Sequence, residues 1–142
     1  MTGVNRCWRL PLALGLGLTI GAVIGLGARA QAWDPTGLWK TAESDGRYLH
    51  VRIAACASAA DQLCGTIEGA FGGASVSTIG KPIVWDMEAD GDGAWSSGRV
   101  WAPDEDETYR AKMAMKAADV LELSGCVLGG LICRGQDWIR VE

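Results

Sequence analysis

Histidine is nearly missing from this chain: His50 is the only one among 142 residues. A metal site built on several histidines is therefore excluded. A nucleophile–histidine–acid relay would have to use His50 itself. That residue falls in the alternating polar series Tyr48, His50, Arg52, so it is expected to point outward and take no part in catalysis. Helical periodicity is lacking too. No stretch beyond about ten residues repeats its apolar positions every three or four, which excludes a helical bundle. The charge balance is short of cations, with 13 Lys and Arg against 17 Asp and Glu. An acidic surface repels phosphate backbones, so nucleic acid is not an expected partner.

Residues 1–32 carry a different composition from the rest. Asn5, Arg6 and Arg9 precede an apolar run from Leu10 to Leu26, followed by the small-x-small sites Ala28-Arg29-Ala30 and Ala30-Gln31-Ala32. This order reads as a secretory signal peptide, cleaved after Ala30 or Ala32, that leaves 33–142 as the mature domain. An uncleaved anchor is the alternative, since the run is only slightly short for a bilayer span. After cleavage no membrane span would remain, and 10 basic residues would face 17 acidic ones, a formal charge of −7. The address is then periplasmic or secreted.

Cleavage also removes Cys7 and leaves Cys56, Cys64, Cys126 and Cys133. An even count in an exported chain reads as two disulfides. Sequence permits three connectivities, and local spacing favours Cys56 with Cys64 and Cys126 with Cys133, each bracketing a hairpin turn. A four-thiolate zinc site is the rival, but the two-residue spacings typical of zinc are absent. Neither metal nor cofactor is expected. The acidic run from Asp86 to Asp92 fails as an EF-hand loop, because Ser97 stands where a bidentate glutamate is needed.

Glycine, proline and aspartate divide the mature region into short strands. They are read at Gly37 to Thr41, Arg47 to Ala54, Leu63 to Glu68, Lys81 to Asp86, Ala94 to Trp101, around Tyr109 to Met115, Val120 to Ser124 and Arg134 to Val141. A glycine- and serine-rich loop fills Gly69 to Gly80, and Asp-Gly-Asp-Gly at 90–93 marks a hairpin turn. Eight such strands predict an all-β fold, an eight-stranded antiparallel up-and-down barrel. A two-sheet sandwich is the alternative.

Within that barrel Trp95, Arg99 and Trp101 share one parity, and Tyr109, Met113 and Met115 share the facing one. Together with Trp85 they are the candidate lining of an apolar cup for a small ligand. The competing expectation is a solid core, since eight strands leave little spare room. Turn counting puts the strand seven–eight turn at the same end as the 69–80 loop. Phe71, Val76, Val127, Leu128, Leu131 and Ile132 should therefore gather at one rim, as a portal, a lid or a docking patch for an envelope protein.

Two sets of residues also carry resemblances. Gly37-x-Trp39 in the first strand and Arg140 in the last are similar to the signature of the lipocalin-like (calycin) barrels. That resemblance implies that Trp39 closes one barrel end with Arg140 stacked across it. More extensively, the mature region resembles the bacterial domain family DUF2147. The matching residues are Gly37-x-Trp39, Leu63-Cys64-Gly65-Thr66-Ile67, Asp92-Gly93-x-Trp95-x-x-Gly98, Pro103, Thr108-Tyr109, and Gly125 to Gly129 through Trp138-x-Arg140-Val141. Longer members carry an Asp and an Asn-Pro between strands three and four that this chain lacks. The resemblance implies an exported barrel and no particular chemistry. The combined expectation is a non-enzymatic barrel that binds a small apolar or lipid-like molecule, with a protein-binding accessory as the alternative.

Overall fold

The computed structural model describes residues 33–142, so the expected signal segment lies outside the described residues. Eight strands run in order: β1 Gly37–Lys40, β2 Tyr48–Ala55, β3 Gln62–Phe71, β4 Pro82–Ala89, β5 Ala94–Ala102, β6 Glu107–Ala117, β7 Val120–Val127 and β8 Ile132–Arg140. Each pairs antiparallel with the next, and β1 pairs with β8 to close the barrel. Sandwich packing is thereby excluded. Both disulfides join near neighbours, Cys56 to Cys64 and Cys126 to Cys133, so none of these four cysteines offers a thiolate to zinc. Asp86 lies beside the first bridge, but its sulfurs are already consumed.

Four strands run further than the residue pattern indicates. β3 continues through Gly69 to Phe71 because those residues pair with His50 and Tyr48. The rings explain the extension: Phe71 stacks on Tyr48 with centroids 5.0 Å apart and meets His50 at 4.4 Å. β4 passes through Asp86, which takes a left-handed backbone (φ 57°); pairing to β5 skips Asp86 and Met87 and resumes in the same register at Glu88. β7 and β8 reach into the apolar turn, since Cys126 stands opposite Cys133 and Val127 opposite Ile132.

The core occupies one half of the barrel. Trp39, Ile53, Ile67, Met87, Met113 and Leu121 are fully buried there, with Val51, Val84, Leu123 and Trp138 continuing upward. Period-two alternation supplies this set, one residue in two along each strand. That lower end is also covalently and electrostatically tied. Arg140 lies 4.3 Å over the Trp39 ring and donates to the carbonyls of Ala118 (2.9 Å) and Thr36 (2.8 Å). The Trp39 indole donates to the Pro35 carbonyl at 2.8 Å. Gly37 is required beside them: its φ is 132°, and a Cβ would stand 2.6 Å from the Glu142 carbonyl and 2.8 Å from Arg140. A guanidinium over an indole contributes on the order of 1 kcal/mol.

Closure is uneven along the seam. β1 and β8 pair only through Trp39 with Arg140 and Lys40 with Ile139, whereas β7 and β8 pair from Val120 to Val127. Above Ile139, β8 has no pairing to β1. The barrel is shut at one end and splayed at the other. No helix among the described residues is long and apolar enough to cross a membrane.

Candidate functional site: an open-ended cavity

At the splayed end the barrel encloses a cavity of about 760 Å³, lined by the inward positions of the upper half. Leu49, Ile83, Val100, Leu123 and Trp138 make its apolar wall, and the turns after β1, β3 and β5 and the β7–β8 hairpin form its mouth. The space exists because several upper positions hold little or polar matter. Ala102 and Gly125 contribute almost no side chain, while Arg134 and Gln136 occupy inward positions of β8 and stay solvated. A Cβ on Gly125 would already touch Tyr109 at 3.4 Å and Val100 at 3.5 Å, so any larger residue would project into the void.

The mouth is polar and two-sided. Asp104 and Glu105 stand on the β5–β6 turn, with Arg47 within 4.0 Å of Asp104. Tyr109 donates its hydroxyl to the Glu105 carboxylate. That bond, with partial desolvation and the charges of Glu105 and Glu107, holds the phenol above its ordinary range. Trp101 donates its indole N–H to Asp106 at 3.0 Å and lies under Lys81, 5.6 Å from the ring centroid. On the cavity floor, Trp138 is buried, and its Nε1–H has no acceptor among the described residues. An unpaired buried donor costs about 1–3 kcal/mol, an expense the fold carries next to the void.

The seven candidate lining residues are distributed rather than gathered. Trp101 and Tyr109 line the cavity. Met113 and Met115 are buried in the packed half, and Trp95 packs against that same core. Trp85 is half-buried with Arg99 as its register partner, and Arg99 is exposed and does not line the cavity. The reason is a break in alternation. Ser97 adopts a left-handed conformation (φ 64°), and the β5–β6 register shifts between Trp95 and Gly98. Beyond that bulge Val100 and Ala102, not Arg99, face the cavity.

Of the six rim candidates, Val127 and Ile132 line the mouth, while Phe71, Val76, Leu128 and Leu131 are exposed outside it. Sequence reasoning missed Leu49, Ile83, Val100 and Trp138 as lining residues. Alternation marked Leu49 as inward but placed Val100 on the opposite face, and nothing in it separates a filled layer from an empty one.

Comparison with known proteins agrees with this architecture. A solved structure of protein HP1028 from Helicobacter pylori, described as belonging to the lipocalin family, superimposes with a TM-score of 0.63. The two are 13% identical, over 78% of this chain and 84% of that one, which is likeness of fold. No curated protein matches the chain. Residues 37–140 match the family described as "Uncharacterized protein conserved in bacteria (DUF2147)", and the chain belongs to that family.

Proposed function

We propose that this protein is an exported binding barrel that holds a small apolar or lipid-like molecule in its upper cavity. The observation that carries this reading is the cavity itself. Its volume of about 760 Å³ falls within the range of small-molecule sites, and its wall is mostly aliphatic and aromatic, with polar groups at the mouth and at Arg134 and Gln136 of β8. Two disulfides fit an oxidising compartment outside the cytoplasm. A hydrolytic reading has no support at the site: His50 packs with Tyr48 and Phe71 and does not itself line the cavity.

The test is native mass spectrometry of protein purified from cells, followed by solvent extraction of whatever co-purifies. A bound apolar molecule, or saturable uptake of an environment-sensitive naphthalene dye, is the expected result. Gly125→Leu should abolish dye uptake, because its side chain must enter the void. An empty protein that takes up no dye, or a Gly125→Leu variant that takes it up unchanged, overturns the reading.

A further inference from the structure

The outer wall beside the β7–β8 hairpin carries a cationic cleft in a chain dominated by acids. Arg99 of β5 and Arg110 of β6 stand directly opposite each other in register, and both are exposed. Like charges facing across a strand pair are destabilising. Lys112 adds a third cation on the same face of β6, and Ser96, Ser97 and the backbone of Gly129 and Gly130 complete a cleft of about 400 Å³. No carboxylate lines it. Among the described residues none of these three cations lies within 4.0 Å of an acidic group, although Arg47, Arg52 and Lys116 all do. An unneutralised Arg–Arg–Lys group in so acidic a chain is a site for an external anion, and guanidinium pairs match phosphate geometry.

One wall of this cleft is the hairpin tip. From Gly125 to Cys133 the sequence contains no charged residue. Leu128 and Leu131, which flank the two glycines of the cleft, are 68% and 86% exposed. The Cys126–Cys133 bridge fixes this tip, and Arg134 follows directly behind it. Exposed aliphatics at the hairpin tip, beside a cleft of unpaired cations, match the layering of a phospholipid surface: acyl region, then headgroup. We infer that the hairpin tip and the Arg99–Arg110–Lys112 cleft together form a docking site for a phospholipid membrane. Leu128 and Leu131 enter the acyl boundary, and the cleft takes a headgroup phosphate. Val127 and Ile132 line the cavity mouth from the same hairpin, so docking brings the mouth to the bilayer. The inference does not require the cavity to be filled.

Flotation of the residue 33–142 protein with phosphatidylcholine vesicles, with and without phosphatidylglycerol, tests it. Binding is expected to the mixed vesicles and to weaken with salt. Arg99→Ala with Arg110→Ala should lower the apparent affinity about 25-fold at low salt, at about fivefold per cation. These side chains are exposed and mutually repelling, so the variant keeps its fold. Leu128→Ser with Leu131→Ser should lower affinity at every salt concentration by about tenfold per leucine. Failure to float with either vesicle overturns the inference, as does unchanged binding in both variants. Binding of inorganic phosphate by the wild type without vesicle binding would make this a free-anion site and overturn the membrane reading. A wild-type oligomer dispersed by the leucine substitutions would do the same, assigning the tip to a second copy. Dye uptake by the cavity is read separately, so neither result depends on the other.

Discussion

The molecule contains two hairpins closed by nearly the same covalent device, and they lie at opposite ends of the barrel. Cys56–Cys64 spans eight residues of sequence and Cys126–Cys133 spans seven. The first encloses the mostly small and polar Ala57-Ser58-Ala59-Ala60-Asp61-Gln62, with Leu63, at the shut end that carries the Trp39–Arg140 cap; the second encloses Val127-Leu128-Gly129-Gly130-Leu131-Ile132 at the open end. A polar loop at a closed end needs a clip only for stability, since water satisfies its side chains. An apolar tip at an open end gains something more. Held by the bridge, it cannot fold back into the cavity or collapse with a neighbouring tip. The difference teaches that a disulfide contributes the same unfolded-state constraint in both places, while the residues it encloses decide whether function is attached.

The largest effect should separate the two ends by packing. Trp39→Ala removes a fully buried indole and the platform under Arg140, and should cost about 3–5 kcal/mol in urea unfolding. Leu131→Ala at the opposite tip should stay within about 0.5 kcal/mol. A Trp39→Ala variant as stable as the Leu131→Ala variant would remove the distinction between a packed end and an open one. Next come the bridges. Replacing either pair with serine should cost about 2.5 kcal/mol on the loop-entropy account. The losses should match, but only the Cys126→Ser/Cys133→Ser variant should lose vesicle binding and weaken dye uptake. Equal functional loss from the Cys56→Ser/Cys64→Ser variant would refute the division of roles.

Much of the frame was legible because strand alternation is a direct readout of burial. Leu49, Val51 and Ile53 alternate in β2, and Ala111, Met113 and Met115 in β6; all six point to the interior. Bridge pairing followed from spacing, since hairpin ends meet. The site was less legible for two physical reasons. Alternation shows which side a residue faces, not whether facing residues meet; Met113 is packed while Val100 borders a void. And a left-handed residue at a bulge shifts the register after it, as at Ser97, which turns Arg99 outward. Ser96-Ser97-Gly98 is the kind of small, polar cluster that signals a break inside a strand, and it was the available clue to the outward Arg99. A smaller prediction follows from the bulge. Ser97→Gly relieves a strained backbone and should stabilise the protein by about 0.5–1 kcal/mol, read by chemical unfolding. Destabilisation would mean that the Ser97 side chain contributes more than its conformation costs.

The smallest effect belongs to the mouth and is electrostatic. Tyr109 donates to Glu105, and its pKa is raised chiefly by that bond, then by desolvation and by the charges of Glu105 and Glu107. A phenol whose folded pKa lies above its ordinary 10.0 stabilises the native state fully below that value and loses the contribution as pH rises through the raised one. The group is solvent-facing, so the change in global stability should be slight, and the titration itself is the sensitive measurement. Tyrosinate absorbance should show Tyr109 ionising above the ordinary range in the native protein. Glu105→Gln should bring it back toward 10.0, because a neutral amide removes the carboxylate acceptor and its charge. At the shut end Arg140 is instead satisfied by backbone carbonyls that do not titrate, and the titratable pairing there is the exposed Arg52 with Glu68 and Glu142. A native titration unchanged by Glu105→Gln would show that the mouth is not organised by this bond.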